Sequence, residues 1–294
     1  MSLRGSGRFS AFAAIDWSGA KGHRHKGIAV ALCAPGRVAP VLVAPEGGAW
    51  SREAVARWVV EQAATMPTLF GFDFSFAPPL VERGAYLPGE ARIPASAPAF
   101  WAYVDRLCAD QADLGAAAFL EQHHRRHFYF GMADGVKAEY MHLRRCEAHY
   151  NAGGGGKPST VYDAIGAAQV AKASFAGMRL LHRLRGAVPV WPFDGRTAPL
   201  AGSLIVEIYT SLAARAAGRP KGRTKMRDAA TLDAALATLG SAPHAALARY
   251  EDHATDAILT AAWLRHVHAD PRLWSPPGLT DAIACTEGWT FGVV

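Results

Sequence analysis

Four short acidic stretches lie far apart in this chain: Ala14-Ile15-Asp16-Trp17-Ser18, Gly71-Phe72-Asp73-Phe74-Ser75, Ile205-Val206-Glu207-Ile208-Tyr209 and Asp252-His253-Ala254-Thr255-Asp256-Ala257. Asp16, Asp73 and Glu207 each sit within or at the end of an apolar run of strand type. Asp252 and Asp256 lie four apart on a stretch of helical character. A fold that buries such runs in one sheet gathers their carboxylates at its edge. Like charges brought together away from water raise one another's pKa and cost free energy unless a proton or cation neutralises them. The pattern therefore points to a divalent metal and to metal-dependent phosphoryl chemistry.

The chain has 294 residues, half of them hydrophobic, enough for a substantial core in one large α/β domain or two smaller ones. Lys and Arg outnumber Asp and Glu by 31 to 25, a formal charge of +6 that mildly favours polyanionic partners and also suits an ordinary basic enzyme surface. Cys33, Cys108, Cys146 and Cys285 are scattered without zinc-ligand spacing and read as reduced core thiols. No apolar run approaches the roughly 18 residues of a membrane span, and the N-terminus lacks a signal-peptide pattern, so the expected location is the cytoplasm.

Phe9 to Ile15 reads as a strand ending at Asp16, followed by strands over Gly27 to Cys33 and Val38 to Ala44, an antiparallel meander. Ser51 is a plausible N-cap for a helix to about Ala64, and Leu69 to Phe74 is a fourth strand. A right-handed crossover through that helix lets the fourth strand lie parallel to the first, which makes Asp16 and Asp73 neighbours. From Pro78 to about Arg196 the pattern turns helical and polar and reads as an insertion, ending in a turn at Trp191-Pro192-Phe193-Asp194-Gly195. Ser203 to Tyr209 is the fifth strand. Helices are expected over Ala229 to Leu239 and Ala245 to Val267, with Asp252 and Asp256 sharing a face of the second.

This order of elements resembles the ribonuclease H-like fold, including Holliday-junction resolvases. Local motifs are most similar to the family catalogued as domain of unknown function 429: Ile15-Asp16-Trp17-Ser18-Gly19, Phe72-Asp73-Phe74-Ser75, Lys157-Pro158-Ser159-Thr160-Val161-Tyr162, Trp191-Pro192-Phe193, Val206-Glu207-Ile208-Tyr209, Asp252 through Trp263, and Glu287-Gly288-Trp289. The resemblance covers nearly the whole chain. It implies one α/β domain over residues 1–294, with a mixed five-stranded sheet in the order 3-2-1-4-5. In that sheet strand 2 is antiparallel, helices flank both faces, and a mainly helical insertion of about 78–196 separates strands 4 and 5. The implied activity is that of a metal-dependent nuclease. The chain departs from the resolvases in carrying Asp73 where they usually have Glu, in spacing its helix acids four apart instead of three, and in adding Glu207.

The chemistry expected of such a site is hydrolysis of a phosphodiester by water activated at two Mg²⁺ or Mn²⁺ ions about 4 Å apart. Asp16 would bridge the ions, with Asp73 and Asp256 as the other direct ligands. Mg²⁺ takes few carboxylates and keeps several waters, so Asp252 and Glu207 are expected outside the direct set or at one ion only. Glu207 has three open roles: ligand, water-positioning group, or partner of a basic residue such as Arg215 or Arg223. For each acid taken alone, the alternative is an ordinary strand-end or helix-surface carboxylate. The basic segment after strand five offers Arg219, Lys221, Arg223, Lys225 and Arg227 to a phosphate backbone, or is simply a solvated loop.

The glycines at 153–156 followed by Lys157 fail the P-loop pattern at Asn151 and Pro158 and follow a helical stretch, so they read as a loop with Lys157 as a phosphate contact. His123, His124 and His127, with Arg125 and Arg126, offer a contact to a polyanion or a metal but read more readily as one polar helix face, and His253 as a helix-surface residue or a general acid/base. Three functions compete: a metal-dependent nuclease or related hydrolase acting on nucleic acid or a nucleotide; an actin-like ATPase or small-molecule kinase, which normally repeats the fold in two halves where this chain has one; and a non-catalytic module binding nucleic acid or protein. Direct carboxylate–arginine pairing is the signature expected of the last. Oligomeric state leaves no mark in the sequence.

Overall fold

The computed structural model describes residues 8–156, 158–165, 170–196, 201–222 and 224–294. In chain order the strands and main helices are β1 (Ala11–Asp16), β2 (Ala29–Cys33), β3 (Val41–Leu42), α1 (Arg52–Thr65), β4 (Thr68–Asp73), α2 (Ala97–Leu107), α3 (Arg145–Ala152), α4 (Val170–Leu184), β5 (Leu204–Glu207), α5 (Thr210–Ala216), α6 (Ala229–Thr238) and α7 (Asp252–Val267). Two short turns of helix follow, α8 (Pro271–Trp274) and α9 (Asp281–Cys285). The sheet has five strands in the order β3-β2-β1-β4-β5. β1 runs antiparallel to β2 and parallel to β4, and β5 is parallel to β4. Among the described residues no helix is long and apolar enough to cross a membrane.

All six residues of β1 are buried, as a central strand covered on both faces requires. Successive side chains of a strand point to opposite faces. Ala13, Ile15, Phe70 and Phe72 accordingly join one core, with α1, α2 and α4. Phe12, Ala14, Leu69 and Val206 join the other, with α5, α6, α7 and the C-terminal Trp289 and Phe291. The same alternation puts Asp16, two residues beyond Ala14, and Asp73, four beyond Leu69, on the face that α7 covers. α7 lies close. A methyl group on Gly71 would stand 2.7 Å from Ile208 Cγ2 and 2.9 Å from Leu264 Cδ1, so only glycine fits there.

Several boundaries differ from the sequence expectation, each for a tertiary reason. β3 keeps two exposed residues of the seven expected, because Pro40 and Pro45 bracket it and Arg265 Nη1 takes the carbonyls of Ala34 and Val38, at 3.1 and 2.6 Å. α7 begins at Asp252, seven residues later than expected. Despite its alanines, the preceding stretch is tied down elsewhere: His244 N–H donates to Asp233 Oδ1 at 2.9 Å, and Leu247 and Tyr250 lean on the core. α1 starts as expected, Ser51 Oγ accepting from Ala54 N–H at 3.0 Å.

Among the described residues the segment between β4 and β5 contains three α-helices, α2, α3 and α4, separated by short helical turns and irregular chain, and it forms one wall of the core. Phe119 stacks on Phe175 with ring centroids 4.8 Å apart, and Phe128 and Phe100 close on the same pair. A two-faced buried sheet needs that cover. Cys33, Cys108 and Cys146 are buried thiols as expected; Cys285 is exposed on the last turn of helix.

Candidate active site

Asp16 and Asp73 are register partners at the C-terminal ends of β1 and β4. Adjacent strands are about 4.8 Å apart, so the two carboxylates leave the sheet side by side. The first two turns of α7 face them with Asp252, His253 and Asp256. His253 Nδ1 lies 3.0 Å from Asp16 Oδ1. Asp256 is buried, and its Oδ2 receives the Lys225 ammonium at 2.8 Å. The same ammonium is 3.6 Å from Asp252 Oδ2, and Arg227 Nη1 is 3.0 Å from Asp252 Oδ1. Asp73 accepts one hydrogen bond, from Thr210 Oγ1 at 3.3 Å, and makes no ion pair among the described residues.

The electrostatics follow from this crowding. Burial pushes the Asp73 carboxyl well above the usual carboxylate range, and the neighbouring Asp16 and Asp256 push it further. Burial also raises Asp16, against the opposing hydrogen bond from His253. Asp256 is raised by burial despite Lys225. The hydrogen bond to Asp16 raises His253, and Lys225 is raised because its carboxylate partners outweigh its own burial. Four carboxylates thus share this corner with three basic side chains, Lys225, Arg227 and His253.

Glu207 stands apart from this group. Its Oε2 accepts from Arg144 Nη1 and from Phe76 N–H, both at 2.7 Å; its Oε1 accepts from Arg144 Nη2 and from Thr290 Oγ1. Both oxygens are occupied by protein donors inside the core, so the expectation of Glu207 as a catalytic acid gives way to an interior ion pair. Its partner is Arg144, not Arg215. Arg144 also holds Glu147 through its Nε at 2.9 Å, and the net attraction keeps the guanidinium charged in spite of burial.

The basic segment divides. Lys225 and Arg227 turn onto Asp256 and Asp252, while Lys221 is exposed. Lys157 and Arg223 lie outside the described residues. His124 and His127 do not form a polar helix face: both are largely buried in irregular turns. There His127 Nε2 is 3.1 Å from Glu90 Oε1, and the His124 ring packs 4.7 Å from that of Phe119.

The oxygens of Asp16, Asp73, Asp252 and Asp256 are the hard donors that Mg²⁺ or Mn²⁺ prefers, and among the described residues Asp73 has no cation of its own. As the side chains stand, no three metal-ligating groups among the described residues converge on one point. Lys225 occupies Asp256 instead. The sequence leaves His253 open between a helix-surface residue and a general acid/base, and its place three residues before Asp256 already puts both on one helix face. Nothing in the spacing marks Lys225 as the partner of Asp256. No family model matches the chain, and no curated protein or solved structure matches it either.

Proposed function

We propose that this chain is a divalent-metal-dependent phosphodiester hydrolase with a ribonuclease H-like fold, similar to the domain of unknown function 429 family and acting on nucleic acid or a nucleotide. One observation carries the reading: Asp16 and Asp73 meet in register beneath Asp256, and Asp73, half-buried among like charges, has no ion-pair partner among the described residues. An acidic cluster in that state attracts a cation. Asp16, Asp73 and Asp256 would hold Mg²⁺ or Mn²⁺, with Asp252 beside them. When bound, such an ion polarises a phosphoryl oxygen and makes a bound water acidic enough to attack near neutral pH.

The chain's own groups prepare the site. Thr210 orients Asp73 through its Oδ2, and His253 holds Asp16 by Oδ1, which leaves the second oxygen of each acid uncommitted to those partners. Lys225 pairs with Asp256 and, more distantly, with Asp252, which Arg227 also holds. The early helix position of Asp252 and Asp256 adds the favourable field of the α7 N-terminus.

Calorimetric titration with Mn²⁺ tests the proposal, alongside a hydrolysis screen over single-stranded, duplex and branched DNA and RNA and nucleotides. Micromolar to millimolar binding that disappears in Asp16→Asn, with the variant still folded, supports it. Equal affinity in the variant, or no binding by the parent protein, overturns it. A second reading, a non-catalytic binding module, is favoured by the counter-ions the chain supplies to its own acids: Lys225 on Asp256 at 2.8 Å and Arg227 on Asp252 at 3.0 Å.

A further inference from the structure

On the other side of the loop that follows β1, a cavity of about 230 Å³ opens between residues 19–23, the start of α1, the turn at 111–117 and the first turns of α4. Its existence follows from side-chain size. Gly19 sits directly on α4, where a Cβ would stand 2.4 Å from Ala173 N, and the walls around it are largely Gly and Ala, whose side chains end at or before Cβ. Three cationic side chains, Lys21, Arg52 and Lys172, line this space with His23, and among the described residues neither Asp nor Glu does.

The three cations are held differently. Arg52 is 2% exposed and donates four hydrogen bonds to the carbonyls of Ser18, Ala20 and Asp113. Burial lowers its pKa to about 10, with Asp113 opposing, so it remains a fixed positive charge at neutral pH. Asp113 is shared: His25 Nε2 lies 2.7 Å from its Oδ2, and Arg52 Nη1 is 3.8 Å away. Lys21 meets Glu121 at 3.4 Å in an exposed pair, a weak attachment. Lys172 makes no ion pair among the described residues. A small-walled recess with one rigid and two adjustable cations favours a compact anion, because charge is felt more strongly where walls exclude water. Its volume matches about eight water molecules at roughly 30 Å³ each, room for a phosphate group with part of its ester.

We propose that this cavity binds the phosphate group of a small phosphate ester, through Lys172 and Lys21 with Arg52 as the fixed charge behind them. The proposal rests on these residues alone and does not require the carboxylate site to bind metal. Calorimetric titration in EDTA at low ionic strength, with inorganic phosphate and separately with 5′-AMP, tests it. Lys172→Ala should weaken binding at least tenfold, and Ala117→Leu, which fills the cavity without changing its charge, should abolish it. Asp16→Asn should leave it unchanged, so failure here is distinguishable from failure of the metal site. Tighter binding of the nucleotide identifies an ester as the occupant; equal affinity identifies free phosphate. Absence of binding to both probes, or unaltered affinity in Lys172→Ala or in Ala117→Leu, overturns the proposal.

Discussion

Asp16 and Asp73 are register partners across the parallel strands β1 and β4, and Asp73, already raised by burial, is made more difficult to ionise by Asp16 beside it. Like charges opposed across strands cost up to about 1 kcal/mol. Asp73→Asn removes one charge while keeping shape and the hydrogen bond from Thr210. In EDTA the variant should melt roughly 2–4 °C higher than the parent, the shift about 1 kcal/mol gives at this size. It should also lose Mn²⁺ affinity. A lower melting temperature in EDTA would mean the carboxylate is a structural group.

Lys225 decides between the two functional readings. In Lys225→Met the buried Asp256 loses its ammonium, so the variant should melt lower than the parent in EDTA. If the acids form a metal site, Mn²⁺ then binds without displacing a lysine, and the variant should gain more thermal stabilisation from Mn²⁺ than the parent does. Stability that stays low whatever the metal concentration would favour the non-catalytic module.

Glu207 and Arg144 form a buried pair, 3% and 1% exposed. Removing one partner strands the other charge in the core, a loss of about 3–5 kcal/mol. Arg144→Met should therefore unfold at markedly lower urea, as it leaves both Glu207 and Glu147 without their cation. Glu207→Gln, where it folds, should bind Mn²⁺ like the parent. Loss of metal affinity in that variant would restore Glu207 to the site.

The His124–Glu90–His127 group predicts an acid-side loss of stability. Burial depresses the pKa of both imidazoles below the ordinary value of about 6.5, against the attraction of Glu90. A base depressed in the folded state favours folding above its unfolded pKa and loses that contribution as pH falls through the folded value. The neighbouring charges are Glu90, Arg126, His123 and Arg83. Urea unfolding between pH 7 and pH 5 should show stability falling by at most about 1.4 kcal/mol per pH unit for each proton. His124→Phe, which keeps the ring against Phe119, should flatten the slope. A slope identical to the parent's would exclude His124 as its source.

Much of the frame is legible from the chain. Alternation along Ala11–Asp16 and Thr68–Asp73, the crossover helix capped by Ser51, and the spacing of Asp252 and Asp256 are enough to bring four of the five acids to one face. The segment after β4 misleads because its polar and irregular turns hide Phe100, Phe119, Phe128 and Phe175, which meet only when the sheet's exposed face needs cover. His244 and Leu247 lie in an alanine-rich stretch with good helix propensity, yet contacts from α6 and the core keep them out of the helix.

The sequence by itself determined which residues alternate, where strands end and which acids stand at those ends, since such patterns are written between near neighbours and repeat every two or every 3.6 residues. The tertiary structure alone decided the partnerships: Arg144 reaches Glu207 across 63 positions, Lys225 reaches Asp256 across 31, and His253 reaches Asp16 across 237. No period links such residues. Charges buried in one place must find counter-charges from whichever segment the packing delivers, and that delivery belongs to the folded chain as a whole.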